Sequence, residues 1–142
     1  MRKLTKNTLK LMNSIIEKIE SGELAHKQDT WYCGTAHCFI GWMVVINRSR
    51  KHKDRKLITK GCAYENFYDM VGNETGITVF VNNEFGLSHE EINIIARTTN
   101  SLEKIKTVVA KLNEGQRFYL PFGEVEPVWG TYEDALSSGA VW

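Results

Sequence analysis

Between Leu4 and Ser21 the apolar residues Leu9, Met12, Ile15, Ile16 and Ile19 return at spacings of three and four, with polar residues filling the gaps. That spacing draws one apolar stripe along an amphipathic helix, and Gly22 supplies its stop. From Glu23 to Tyr32 the period is lost, so this stretch reads as a connector whose Trp31 and Tyr32 pack back on the core. Ala36 to Ile46 is apolar nearly all round and free of proline, which predicts a helix buried on most sides with Thr35 as its N-cap. The β-branched Val44, Val45 and Ile46 keep a strand open over the last positions, while the length of the run favours helix.

Farther along, Ala63, Phe67, Met70 and Val71 fit a short helix closed by Gly72. Residues 77–85 satisfy two templates: Ile77, Val79 and Val81 alternate as in a strand, and Ile77, Phe80, Val81 and Phe85 trace a helical face. Ser88-x-x-Glu91 is a capping box ahead of Ile92, Ile94 and Ile95, and Asn100-x-x-Glu103 repeats the device ahead of Leu102, Ile105, Val108, Val109 and Leu112. Gly115 stops the second of these helices, with Lys111 favourably placed in its last turn.

Residues 116–142 hold both prolines, Pro121 and Pro127, and the aromatics Phe118, Tyr119, Phe122, Trp129, Tyr132 and Trp142. That composition is too aromatic for a disordered tail. It predicts an extended arm that packs on the helical body or on a second subunit, with a turn of helix begun at Thr131. The expected fold is mainly α: a small single-domain helical bundle of about five helices over residues 1–115, followed by an aromatic-rich, irregular or partly β arm over 116–142.

Composition changes this picture little. A chain of 142 residues, 42% hydrophobic and 25% charged, has the size and content of one core. Its longest apolar run, Cys38 to Ile46, is far too short for a bilayer-spanning helix, so no membrane association is expected. The basic start Met1-Arg2-Lys3-Leu4 is followed by Lys6, Lys10, Glu17 and Lys18, which interrupt any secretory apolar region; the expected location is cytoplasmic. Three cysteines, Cys33, Cys38 and Cys62, are an odd number and read as reduced thiols.

Charge is segregated. Residues 48–60 carry seven Lys/Arg against Asp54, a net +6, leaving eleven Lys/Arg against sixteen Asp/Glu, or −5, on the rest of the chain. Six of those cations, Arg48, Arg50, Lys51, Lys53, Arg55 and Lys56, fall within nine residues, where mutual repulsion favours an exposed loop and an anionic partner. Nucleotide-like ligands, acidic protein surfaces and nucleic acid all have that chemistry. Against DNA reading by a helix-turn-helix over residues 77–97, the second helix would lead with His89, Glu90 and Glu91, turning acid toward phosphate.

The most distinctive string is Trp31-Tyr32-Cys33-Gly34-Thr35-Ala36-His37-Cys38-Phe39-Ile40-Gly41-Trp42. Cys33, ahead of a helix N-terminus that would lower its pKa, and His37 are candidates for a nucleophile and its base. Cys33, His37 and Cys38, joined by Cys62 or His52, are candidate metal ligands, although the spacing follows no familiar zinc pattern. The packing alternative makes Cys38, Gly41, Trp42 and Val45 a tight helix face. No cofactor is called for.

This string resembles the C-G-T-x-x-C-x-x-G-W signature of short bacterial and phage proteins, and Gly86-Leu87-Ser88-His89-Glu90-Glu91 with the following capped helix matches the order in which those proteins continue. One departure is at Phe39-Ile40, where those proteins usually have a small or aliphatic pair with alanine before the glycine, and Ile40 is bulkier. The resemblance implies a shared fold and a phage or mobile-element origin, not an activity. The expected function is a non-catalytic binding or inhibitor protein that sequesters an anionic ligand or blocks a host protein, with a homodimer as one assembly. A cysteine-dependent hydrolase or transferase using Cys33 and His37, and a nucleic-acid-binding protein, stand as the alternatives.

Overall fold

A computed structural model describes residues 2–26, 36–51, 58–59, 67–68, 74–75, 77–97 and 101–140, with side chains over 2–26, 38–47, 79–97 and 101–140. The first stripe forms helix α1, Lys6–Glu20, capped by Thr5, whose hydroxyl accepts from the Thr8 amide at 3.1 Å. Leu11, Met12, Ile15 and Ile16 form its buried face, and Gly22, with φ at +81°, takes the left-handed turn that ends it.

The strand β1, Ala25–His26, pairs in parallel with β2, Ala36–His37. Helix α2, Phe39–Lys51, therefore starts three residues later than the apolar run suggested and continues into the basic run expected to be a loop. The cause of the late start is Cys38. Its carbonyl accepts from the Trp42 amide at 3.0 Å and its sulfur from the Gly41 amide at 3.3 Å, so the thiol occupies the N-cap position. The N-cap expected at Thr35 lies outside the described residues.

Three two-residue strands follow, β3 (Ile58–Thr59), β4 (Phe67–Tyr68) and β5 (Glu74–Thr75), antiparallel in that order. The short helix expected across Phe67 is thus overturned: paired aromatics suit a pleated ladder, and periodicity over so few residues did not exclude one. Over residues 77–85 the helical template wins as α3, Ile77–Phe85. Val81 and Phe85, four apart, are buried, while Val79, which alternation would bury, is 48% exposed.

The capping box at Ser88 and Glu91 is present at the start of α4, His89–Ala96, and the chain turns between α3 and α4 at Gly86, whose φ is +77°. Helix α5, Leu102–Asn113, is capped by Ser101, one residue beyond the position expected, with its hydroxyl accepting from the Lys104 amide at 3.3 Å. Gly115 then turns the chain into β6, Gln116–Tyr119, which pairs antiparallel with β7, Val128–Thr131. A last helix, α6 (Tyr132–Ser137), starts from a capping box formed by Thr131 and Asp134.

The fold is mainly α, with six helices among the described residues and a two-stranded antiparallel sheet near the C-terminus. α1 packs on α2 and α5, α2 on α4, and α4 on α3, enclosing Met12, Ile15, Phe39, Ile40, Met43, Val81, Ile92, Ile95 and Ile105. Asn13 and Asn113 join α1 to α5 by two reciprocal amide bonds of 3.2 and 3.0 Å. β6 lies against α4 and α5, so the arm begins on the body. None of the described helices is long and apolar enough to cross a membrane.

Candidate functional site

Of the sequence-derived thiol and imidazole candidates, Cys38 is the one whose side chain is described. It is buried, and burial pushes its thiol up to about 11, against the smaller lowering effect of the Gly41 and Ile40 amides. A helix N-terminus alone would favour thiolate; here the apolar surroundings win, so Cys38 is a cap and a packing group. His37 stands on β2 ahead of the helix, not within it, and its side chain and all of Cys33 lie outside the described residues. Trp42, from the same motif, donates its indole N–H to the Ala25 carbonyl at 2.8 Å and so ties α2 to β1. Among the described residues no group of three or more His, Cys, Asp or Glu is placed to hold a metal ion.

The basic candidates divide. Arg48, Arg50 and Lys51 stand on the last turns of α2, a helix whose first half is core. Lys53, Arg55 and Lys56 lie outside the described residues. Cations at a helix C-terminus interact favourably with the partial negative charge of its carbonyls.

Sequence reasoning missed a second polar constellation. Glu91, read from the sequence as a capping-box residue and as part of an acidic helix start, is fully buried, and Arg117 is buried with it. Arg117 Nε donates to Glu91 Oε2 and Nη2 to Oε1, both at 2.8 Å, in a two-pronged pair. Glu91 also accepts from the Ser88 amide at 2.7 Å and the Phe118 amide at 3.2 Å. Arg117 donates onward to the carbonyls of Arg2 and Gly86 at 2.8 and 2.9 Å, and the Ser88 hydroxyl donates to the Phe118 carbonyl at 2.6 Å. These bonds tie α4, β6 and the N-terminal segment together through one buried ion pair, which makes the junction a structural hub.

The surface tells a different story. Among the described residues, four of the five exposed large hydrophobic side chains belong to the arm: Phe122, Val125, Val128 and Leu136. Phe122 is 81% and Val125 91% exposed, in the loop between β6 and β7. That loop is built stiffly. The Glu124 amide donates to the Pro121 carbonyl at 3.1 Å and Gly123 has φ at +81°, which makes Pro121–Glu124 a tight turn with Phe122 at its corner. The Phe122 amide donates to the Ser138 carbonyl at 3.2 Å, fastening the turn to the end of α6. Glu124 and Glu126, both exposed, flank Val125.

At the other end of α6 a cleft of about 250 Å³ opens between α1, α5 and the arm. Leu4, Leu9 and Leu112 give it apolar walls, and Lys3, Tyr132 and Glu133 stand at its sides. Lys3 approaches Glu133 at 3.7 Å, with both side chains 71% exposed, a pair of little energetic weight. Nearby, Trp129 is covered by Phe118, ring centres 4.9 Å apart, and by the Lys111 ammonium at 4.8 Å. No protein-family model, curated protein or solved structure matches the chain.

Proposed function

We propose that this chain is a non-catalytic binding protein, of phage or mobile-element origin as its signature string suggests, that works by docking its C-terminal arm on a macromolecular partner. The observation that carries this reading is Phe122: an aromatic ring left 81% exposed at the corner of a turn held by its own hydrogen bonds. An apolar ring gains nothing for folding when it faces water, and a turn ordered in advance lowers the entropy lost on binding. Aromatic anchors presented in this way are the usual centres of interface energy.

The test is site-directed photocrosslinking. A benzophenone amino acid at Val125 is expected to capture one discrete partner in cells, and Phe122→Asp in the same chain to abolish the adduct. Capture that survives Phe122→Asp would remove the arm from the reading.

A second contact rests on α2 reaching Lys51, which puts Arg48, Arg50 and Lys51 on a helix anchored in the core. Such a cationic helix end suits an anionic, nucleotide-like ligand or the phosphates of a nucleic acid. Titration calorimetry with ATP and with a single-stranded oligonucleotide separates the two: affinity for the polymer falls steeply with salt, and Arg48→Glu/Arg50→Glu/Lys51→Glu abolishes either. Cysteine chemistry at Cys33 and His37 is tested by thiol alkylation, which is expected to find no thiol faster than free cysteine at neutral pH.

A further inference from the structure

Resting on the reading of the arm as a docking surface, we infer that its occupant is a second copy of this chain: the turn at Phe122 of each protomer enters the cleft beside α1 of the other. Three observations meet in this pairing.

The first is fit. The cleft measures about 250 Å³ and is walled by Leu4, Leu9 and Leu112. A cavity of roughly 150 Å³ lined by such residues admits a benzene ring, so the cleft has room for the Phe122 ring. The second is charge. Of residues 2–10, Lys3, Leu4 and Leu9 line the cleft, and this segment carries Arg2, Lys3, Lys6 and Lys10 with no acid before Glu17; the acid in the lining is Glu133, which stands opposite Lys3. The turn carries Glu124 and Glu126 with no cation between Pro121 and Pro127. An acid-flanked apolar knob therefore faces an apolar socket whose neighbouring N-terminal segment is cationic, and two turns brought together would meet with like charge.

The third is placement. The turn is fastened at Ser138, at the end of α6, and the cleft is lined by Tyr132 and Glu133, at its start. A six-residue helix rises about 9 Å, so knob and socket are close enough for one two-fold interface to contain both. The knob then fills the socket twice per dimer, and closure of the pair avoids open-ended polymerisation. Lys3 exchanges its exposed contact with Glu133 for Glu124 or Glu126 of the partner. The dimer carries two +6 segments and so binds any polyanion with added avidity.

Sedimentation velocity on the full-length chain tests the pairing. Wild type is expected to be dimeric at about 100 µM and to dissociate on dilution, with Phe122→Asp raising the dissociation constant at least about 30-fold, the loss typical of a central anchor. Glu124→Lys/Glu126→Lys and Lys6→Glu/Lys10→Glu, all at exposed positions, each weaken the dimer about 10-fold or more, and the four changes combined in one chain restore it. Circular dichroism confirms that each variant is folded.

A wild-type monomer at about 100 µM overturns the inference, as does a dimer indifferent to Phe122→Asp or a charge swap without rescue. The benzophenone at Val125 separates the two levels. An adduct of twice the chain mass supports the second copy, an adduct with a different protein overturns it and leaves the arm as a docking surface, and no adduct overturns both.

Discussion

Glu91 and Arg117 show how one residue can carry two roles that a sequence pattern separates. As N3 of α4, Glu91 returns its carboxylate to the Ser88 amide; as the partner of Arg117 it anchors the first strand of the arm. Two charges removed from water are stable only while each keeps the other and the remaining hydrogen bonds are made. Glu91→Ala is therefore expected to cost about 3–5 kcal/mol in urea denaturation, since Arg117 stays buried with no counter-charge, and Arg117→Ala about the same. Replacing both with well-packed apolar residues should cost far less than either single change, which identifies the penalty as unpaired charge.

Cys38 gives a pH-dependent signature at the same scale. Its folded-state pKa is about 11 against the ordinary thiol value of 9.0, so the native state favours the protonated thiol. Its contribution is complete below pH 9 and is lost as pH rises through 11, by on the order of 2 kcal/mol. A Cys38→Ser variant, compared with wild type by thermal melts between pH 8 and 11, is expected to lack that component of the alkaline decline.

At the scale of elements, the legible parts of the fold were those encoded by neighbours in sequence. α1, the capping box of α4 and the helix begun at Thr131 all follow from spacings within a few residues, and the chain forms them there. The errors arose where a distant partner decides. Ala36 and His37 join β1 instead of α2 because Ala25 and His26 offer them a ladder, and a sulfur at position 38 caps a helix as a hydroxyl would. Phe67 and Tyr68 pair with β3 and β5, which no local period announces.

The candidate surface was legible only as composition, in the prolines and aromatics of residues 116–142. That Phe122 faces water while Tyr119, three residues earlier, is buried depends on the hairpin register. The same register explains a glycine. A methyl group on Gly130 would lie 2.7 Å from the Tyr119 hydroxyl and 3.3 Å from Asp134 Oδ2, so Gly130→Ala must displace the buried Tyr119 ring and is expected to cost about 1–3 kcal/mol in denaturant unfolding. Thr131→Ala, which removes the hydroxyl cap of α6, should cost about 1 kcal/mol. Asp134, held below the usual carboxylate range by the Thr131 amide and hydroxyl, adds stability above its ordinary pKa of 3.8 that is lost as pH falls below it.

For the whole molecule, the hub decides whether the arm is an appendage or part of the core. Arg117, from the arm, bonds the carbonyls of Arg2 and Gly86 and both oxygens of Glu91, so the N-terminal segment, the α3–α4 corner and α4 all terminate on one arm side chain. A chain ending at Gly115 would leave Glu91 without its counter-charge and the Ser88 hydroxyl without its acceptor in a region otherwise packed with Leu87, Ile92 and Ile105. The penalty of about 3–5 kcal/mol for breaking such a pair is a large share of the roughly 5–15 kcal/mol that keeps a domain of this size folded. The arm and the helices should therefore unfold in one transition, with tryptophan fluorescence and far-UV circular dichroism giving the same urea midpoint. A truncated chain should unfold at a clearly lower midpoint, whereas an unchanged one would place the arm's contribution at the surface alone. One cooperative unit also bears on the proposed function, because a turn that docks a partner and is tied to the fold through Ser138 and Arg117 would be held at a set distance from the C-terminal end of α2.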